Sequence, residues 1–166
     1  MRRAQHINKA GLKLIKKFEG FRTRFYVGKG IITIGYGHAC HVYDCSKIHP
    51  PISRAKGEAL LKKDLVVFEK CVDLLTQIKL NSNQFSALVS FTYNLCCEAY
   101  RRSTLRRKLN AGNTKGASKE FRRWVYADGS KLRGLVRRRK VEKEVFLQER
   151  WLLKVIICVL FTLLYF

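Results

Sequence analysis

Phe18-Glu19-Gly20-Phe21-Arg22, followed by Thr33-Ile34-Gly35-Tyr36-Gly37-His38, is the stretch whose reading decides the fold. Upstream, Leu12, Ile15 and Phe18 recur at a spacing of three, and Leu14 pairs with Phe18 at a spacing of four. That period is helical, and Gly20 stands where a helix stops. Glu19 then falls in the last turn, where the macrodipole disfavours a negative charge. With Phe18 and Phe21 beside it, this carboxyl is expected to hold its proton to higher pH than an ordinary glutamate, as a general acid requires. On these residues alone, however, a solvated glutamate on a basic helix is the simpler reading. Downstream, Phe25-Tyr26-Val27 and Ile31-Ile32-Thr33-Ile34 are strand-like runs around Gly28-Lys29-Gly30, a glycine-bearing hairpin turn.

The remainder reads as helical. Pro50-Pro51 precedes Ser53, an N-cap for a long helix reaching about Thr76, with Leu60, Leu61, Leu65, Phe68, Val72 and Leu75 on its apolar stripe. Asn81-Ser82-Asn83 is a break, after which Phe85, Leu88, Val89 and Tyr93 form another helical face. Ser103 caps a short helix to Leu109, and Asn110-Ala111-Gly112 ends it. A helix around Lys115 to Trp124 gives way to the turn residues Ala127-Asp128-Gly129-Ser130, and Leu135 to about Phe146 is the last helix. The fold class is α+β: mostly helical, with one small hairpin near the N-terminus. No internal repeat or low-complexity tract is present.

The 166 residues suffice for one domain with a real core. Formal net charge is +22, and residues 101–143 alone hold 16 basic and 3 acidic side chains. Such a balance calls for an anionic partner: bacterial envelope, nucleic acid or acidic membrane. No zinc finger, RNA-binding signature or basic zipper accompanies the charge, so nucleic acid is not expected.

Six cysteines stand at 40, 45, 71, 96, 97 and 158. Cys40-x4-Cys45 with His41 offers only one loose ligand pair, so no metal is expected, and a disulfide closing the 40–45 loop is the better reading. Such bridges need an oxidising compartment. The start, Met1-Arg2-Arg3-Ala4-Gln5-His6, shows no signal peptide, so the cysteines argue for secretion and the N-terminus does not.

Lys17-Phe18-Glu19-Gly20-Phe21-Arg22, Tyr26 and Thr33-Ile34-Gly35-Tyr36-Gly37-His38 resemble the catalytic region of the phage-type lysozymes, glycoside hydrolase family 24. The segment from Cys40-His41 to Cys45-Ser46 resembles the fungal branch of that family, as do Leu80-Asn81-Ser82-Asn83-Gln84-Phe85, Ser103-Thr104-Leu105 and Gly134-Leu135-Val136-Arg137-Arg138-Arg139. The matches run in order from about Gly11 to Phe146, and that breadth overturns the solvated reading of Glu19. The resemblance implies a lysozyme-like domain over 1–149 and a muramidase acting on bacterial peptidoglycan, with antibacterial use. Glu19 would be the general acid and Thr33 the hydroxyl that helps place the water. Gly35 and Gly37 would bring the backbone close to the sugar chain, Tyr36 would offer an apolar sugar-facing surface, and His38 would either touch the ligand or brace the hairpin. A second bridge, Cys71 to Cys97 of the Cys96-Cys97 pair, is implied as well. No cofactor is implied, and a monomer is expected.

The chain departs from the family where a second carboxylate belongs. The resemblance calls for an aspartate in the hairpin turn between Tyr26 and Thr33, and none stands there; between Glu19 and Glu58 the sole acidic residue is Asp44, in the cysteine loop. A positioned general base is worth ~10²–10⁴ in rate, so a catalytically impaired peptidoglycan binder is the alternative reading. A third is a cationic membrane-active protein. The expected glycine-rich turn after Asn94 reads Leu95-Cys96-Cys97-Glu98 instead. Arg101, Arg102, Arg106 and Arg107 would together hold the protein on anionic envelope polymers, while one or two of Arg137, Arg138 and Arg139 pair inward with Glu142 or a neighbour. Finally, Trp151 to Phe166 is apolar except for Lys154 and Thr162. Sixteen helical residues reach about 24 Å, short of a ~30 Å hydrocarbon core. This 150–166 tail reads as a marginal membrane anchor, as a segment packed on the domain, or as the product of a wrong reading frame.

Overall fold

The computed structural model of the chain describes residues 5–28 and 30–148. The apolar tail, 150–166, lies outside the described residues. Among those described, no helix is long and apolar enough to cross a membrane.

Helix α1 spans Lys9–Glu19. The Asn8 side chain caps it by accepting from the Gly11 N–H, and Gly20 ends it at φ 69°, donating its N–H to the Lys16 carbonyl. The chain then enters an antiparallel sheet of β1 (Arg22–Gly28), β2 (Ile31–Gly35) and β3 (His38–Ala39), in that order. Tyr26 faces Thr33, Val27 faces Ile32 and Gly28 faces Ile31, with an irregularity between Arg22 and Tyr26. Strand β1 is thus longer than the apolar run Phe25–Val27 alone indicates. Most of its side chains are exposed, so its first half carries no hydrophobic signature.

Helix α2, Arg54–Leu75, is capped by Ser53, which accepts from the Lys56 N–H, and it stops at Thr76. Gly57 is what lets the sheet lie against it: a Cβ there would fall 2.5 Å from Phe21 Cε2, and a Cβ added at Gly35 would lie 3.5 Å from the Gly57 Cα. Helix α3, Ser82–Leu95, opens on a full capping box in which Asn81 and Gln84 exchange side-chain and backbone hydrogen bonds. It is the centre of the core. Phe85, Leu88 and Phe91 are fully buried on it, packed with Leu61, Leu65 and Val72 of α2 and with Leu105, Phe121 and Phe146 from the C-terminal half. Each such side chain contributes about 1.5–3 kcal/mol by burial. A smaller cluster of Ile34, Ile48 and Ile52 underlies the sheet.

The C-terminal half consists of α4 (Cys97–Arg102), α5 (Thr104–Asn110), α6 (Thr114–Glu120), a 3₁₀ turn (Phe121–Arg123), the two-residue strands β4 (Tyr126–Ala127) and β5 (Ser130–Lys131), and α7 (Arg133–Leu147). Three features differ from the sequence reading. The helix expected over 115–124 stops at Glu120 and tightens into the 3₁₀ turn, which delivers Phe121 to the core edge-on to Phe91, with centroids 5.4 Å apart. The turn at Ala127–Ser130 joins two short paired strands. Cys96, standing where glycine was expected, adopts φ 70°, ψ 164°, and a short helix that the sequence did not suggest begins directly after it. Disulfides join Cys40 to Cys45 and Cys71 to Cys97, the second tying α4 to α2, while Cys96 is free and exposed.

Candidate active site

The site grows from the end of α1. Gly20 turns the chain away immediately after Glu19, so the carboxylate projects from the helix terminus instead of lying along its flank. Its side chain is 22% exposed, and Oε1 accepts a 2.6 Å hydrogen bond from Arg138 Nη1 on α7. The expectation drawn from the helix end and its phenylalanines left Arg138 out. Nothing in the spacing suggests that a residue 119 positions away reaches Glu19.

Arg138 is itself fixed from three sides. Its Nε donates to Glu142 Oε1 at 3.1 Å, its Nη2 to the Ser90 carbonyl at 3.3 Å, and its guanidinium carbon lies 5.7 Å from the Phe18 ring centroid. Glu142 is completely buried and holds Arg139 Nε at 2.9 Å and the Ser90 hydroxyl at 2.8 Å. Burial pushes the Glu142 carboxyl up, opposed by the two guanidiniums. Burial also lowers Arg139 to about 10. The inward pairing of the arginine run with Glu142 was legible from its i, i+4 and i, i+3 spacing; the further reach to Glu19 was not.

Glu19 Oε2 has no hydrogen-bond partner among the described residues and faces Gly37. A Cβ at Gly37 would come within 3.5 Å of Oε2 and 3.4 Å of the Tyr93 hydroxyl, and Gly37 has φ 87°. Glycine here supplies both the left-handed backbone and the space in front of the carboxylate. Tyr93 donates to the Tyr36 carbonyl at 2.9 Å, and burial together with the nearby Glu19 charge raises its phenol well above its ordinary value.

Two recesses meet at Glu19 and Asn94. One, about 850 Å³, runs along Phe18, Leu135, Arg137 and Val141 between α1 and α7. The other, about 270 Å³, is walled by Gly37, Tyr43, Asp64 and Phe68 beneath the sheet. Together they form an open trough with one carboxyl group at its midpoint. That arrangement suits protonation of a leaving oxygen in a chain lying across both recesses.

Of the residues singled out from sequence, Glu19 and Gly37 lie in this trough, whereas Thr33, Gly35, Tyr36 and His38 line neither recess. Thr33 is half-buried on β2, its hydroxyl donating to the Tyr26 carbonyl at 3.4 Å. Gly35 is packed on α2. The Tyr36 ring is buried against Phe21, with centroids 5.0 Å apart. His38 is also buried: its Nδ1 contacts both oxygens of Asp64 at 2.8 and 3.0 Å, and its ring stacks on Tyr43. It braces the sheet on α2, and the ligand contact weighed for it is not part of this geometry. Asp44 is exposed, and its Oδ1 accepts from the Ser46 N–H at 2.8 Å, a bond that holds its carboxyl below the usual range. It lines neither recess. Among the described residues no cluster of side chains could hold a metal ion.

Residues 16–142 match the family described as phage lysozyme. The endolysin of Bacillus phage B103 is 44% identical over 147 residues, covering 86% of this chain and 54% of that protein. The endolysin of Acyrthosiphon pisum secondary endosymbiont phage 1 is 36% identical over 146 residues, covering 85% of this chain and 97% of that one. Thus the chain spans about half the length of some curated relatives and nearly all of others. Among solved structures, the muramidase domain of SpmX from Asticaccaulis excentricus superposes with a TM-score of 0.78 at 34% identity, covering 87% of this chain and 99% of that one. A point mutant of P22 lysozyme gives a TM-score of 0.78 at 32% identity over the same shares. With the family match spanning residues 16–142 and a relative 36% identical across nearly its whole length, the chain belongs to the phage lysozyme family.

Proposed function

We propose that this protein is a lysozyme that hydrolyses the β-1,4 bond between N-acetylmuramic acid and N-acetylglucosamine in bacterial peptidoglycan. The observation that carries this reading is the position of Glu19 where two recesses join, with one oxygen held by Arg138 and the other facing the open trough over Gly37. The glycan lies across both recesses. Arg138 fixes the rotamer of Glu19 and occupies Oε1, so the transferable proton resides on Oε2 and passes to the glycosidic oxygen as the bond breaks. Gly37 gives the sugar room to approach.

The β1–β2 hairpin carries no carboxylate to place the attacking water. In our reading the Thr33 hydroxyl takes that role once the glycan is bound, at a rate below that of a site with two carboxylates. Asp64 stands on the wall of the smaller recess, but both its oxygens are engaged by His38. The impaired binder weighed from the sequence is not favoured, because the relatives are endolysins and a muramidase.

The enzyme acts outside the cytoplasm, where its two disulfides persist, and works as a monomer against bacterial walls. Residues 1–149 make up the lysozyme domain, and 150–166 are an apolar tail. The cysteine loop 40–45 and the segments at Leu80 and Ser103 favour the fungal-type branch of the family. Turbidity clearing of bacterial cell walls, measured beside the Glu19→Gln variant, tests the function. Clearing by the parent alone is expected; equal clearing by the variant would overturn the assignment of Glu19.

A further inference from the structure

A second recess lies outside the catalytic trough. It has a volume of about 380 Å³ and is formed by the 3₁₀ turn, the β4–β5 hairpin and α7. Five cations line it: Arg122, Lys131, Arg139, Lys140 and Lys143; no acidic side chain does. Arg122, Lys131, Lys140 and Lys143 make no ion pair among the described residues. Arg139 is 1% exposed; its Nε sits on Glu142 and its Nη2 donates to Asn94, whereas Nη1 is buried without a hydrogen-bond partner among the described residues.

Like charges gathered in one recess repel, and the arrangement is relieved by a bound anion. A guanidinium with an unused nitrogen matches phosphate geometry, and flexible lysines supply point charges around it. Tyr126 is 62% exposed on the rim and offers an apolar ring face to the carbons of a sugar or polyol. Lys140 also lines the recess that contains Glu19, so the two sites abut on α7. A ligand held here is therefore held beside the glycan under attack. One exposed aromatic in a recess this small does not make the stacking platform that single-stranded nucleic acid needs.

We propose that this recess binds phosphate groups of a phosphodiester-linked polyol polymer, such as bacterial walls carry attached to their glycan, and thereby docks the enzyme at its substrate. This rests on the lysozyme reading for its biological setting. The binding chemistry itself does not depend on catalysis.

The test measures binding of the full chain, oxidised, to labelled poly(glycerol phosphate), with polyglutamate and duplex DNA of matched charge beside it. The variant Arg122→Gln/Lys131→Gln/Lys143→Gln is compared with the charge-matched Lys9→Gln/Lys115→Gln/Lys119→Gln, whose exposed lysines lie on α1 and α6. The recess variant is expected to lose about tenfold or more in affinity for poly(glycerol phosphate), with the control losing much less, as for localised phosphate contacts. Equal losses in the two variants would mean diffuse attraction and overturn the proposal. So would tighter binding of DNA or polyglutamate that shows the same dependence on the recess. A parent that binds the polymer through the recess yet clears no wall would refute the lysozyme reading and leave this site standing.

Discussion

Replacing Arg138 by methionine is the sharpest test of how the site is held. Methionine keeps the apolar stem against Phe18 and removes three hydrogen bonds: to Glu19, to Glu142 and to the Ser90 carbonyl. Glu19 is partly exposed, so water replaces its lost partner at little cost. Glu142 is not exposed at all and retains only Arg139 and the Ser90 hydroxyl. Removing one partner of a buried ion pair costs about 3–5 kcal/mol because the remaining charge is left undercompensated. Two retained partners put the expected loss near the lower end, about 3 kcal/mol. For a chain of this size that corresponds to a fall in Tm of roughly 6–12 °C. Urea unfolding followed by tryptophan fluorescence measures it, with an unchanged m-value securing the comparison. The cause can be isolated by adding Glu142→Gln to the Arg138→Met chain. A neutral amide still accepts from Arg139 through its one oxygen and can donate its NH2 to the Ser90 hydroxyl, so the second substitution should cost far less in that background than in the parent, and the two effects should couple by about 1–3 kcal/mol. A loss below about 1 kcal/mol for Arg138→Met, or strict additivity in the cycle, would refute the reasoning.

Other outcomes follow from the same structure. Inserting an aspartate next to Gly28, in the hairpin turn, should raise the wall-clearing rate by about 10²-fold or more; an unchanged rate would mean that the turn does not reach the water. Cys96→Gly should stabilise the fold by about 1–2 kcal/mol in denaturant titrations, because φ 70°, ψ 164° is a region that glycine alone occupies without strain. A destabilised variant would contradict the turn geometry. Glu58 is lowered to about 2 by hydrogen bonds from Lys16 and Lys62. Its contribution is therefore complete above its ordinary value near 4.5 and is lost as pH falls toward 2. The pair is partly exposed, so Glu58→Gln should cost no more than about 1 kcal/mol at neutral pH. The difference between parent and variant should vanish at the acid end of a stability–pH series, and a gap that persists there would refute the pairing.

The fold was legible where the sequence carries a period or a cap. Ser53 and Ser103 announce two helix starts, the break at Asn81-Ser82-Asn83 precedes a third, and the spacing of Leu12, Ile15 and Phe18 announces a fourth. The short helix after Cys96 was hidden, because no glycine marks the turn before it and six residues are too few for a period. The 3₁₀ turn was hidden for a different reason: Phe121 and Trp124 continue a helical spacing, and only the depth of Phe121 in the core forces the tightening. Within the site, Glu19 and Gly37 could be found from the chain. Arg138, Asn94 and Tyr93 could not, since they reach the trough from helices far along the sequence. Tyr36 and His38 stand inside the glycine-spaced run, next to the residue that faces the carboxylate, and both rings are buried. Gly37, at φ 87° in the turn between β2 and β3, faces the trough, while His38 begins β3 with its ring buried against Asp64.

The most direct measurement is the identity of the ends released from purified peptidoglycan. The parent and the Glu19→Gln variant should be incubated with glycan stripped of phosphate polymers and the soluble products read by mass spectrometry. New reducing ends bearing N-acetylmuramic acid, formed by the parent and absent with the variant, are the expected result. Products ending in N-acetylglucosamine, no products at all, or the same products from the variant would contradict a Glu19-driven lysozyme.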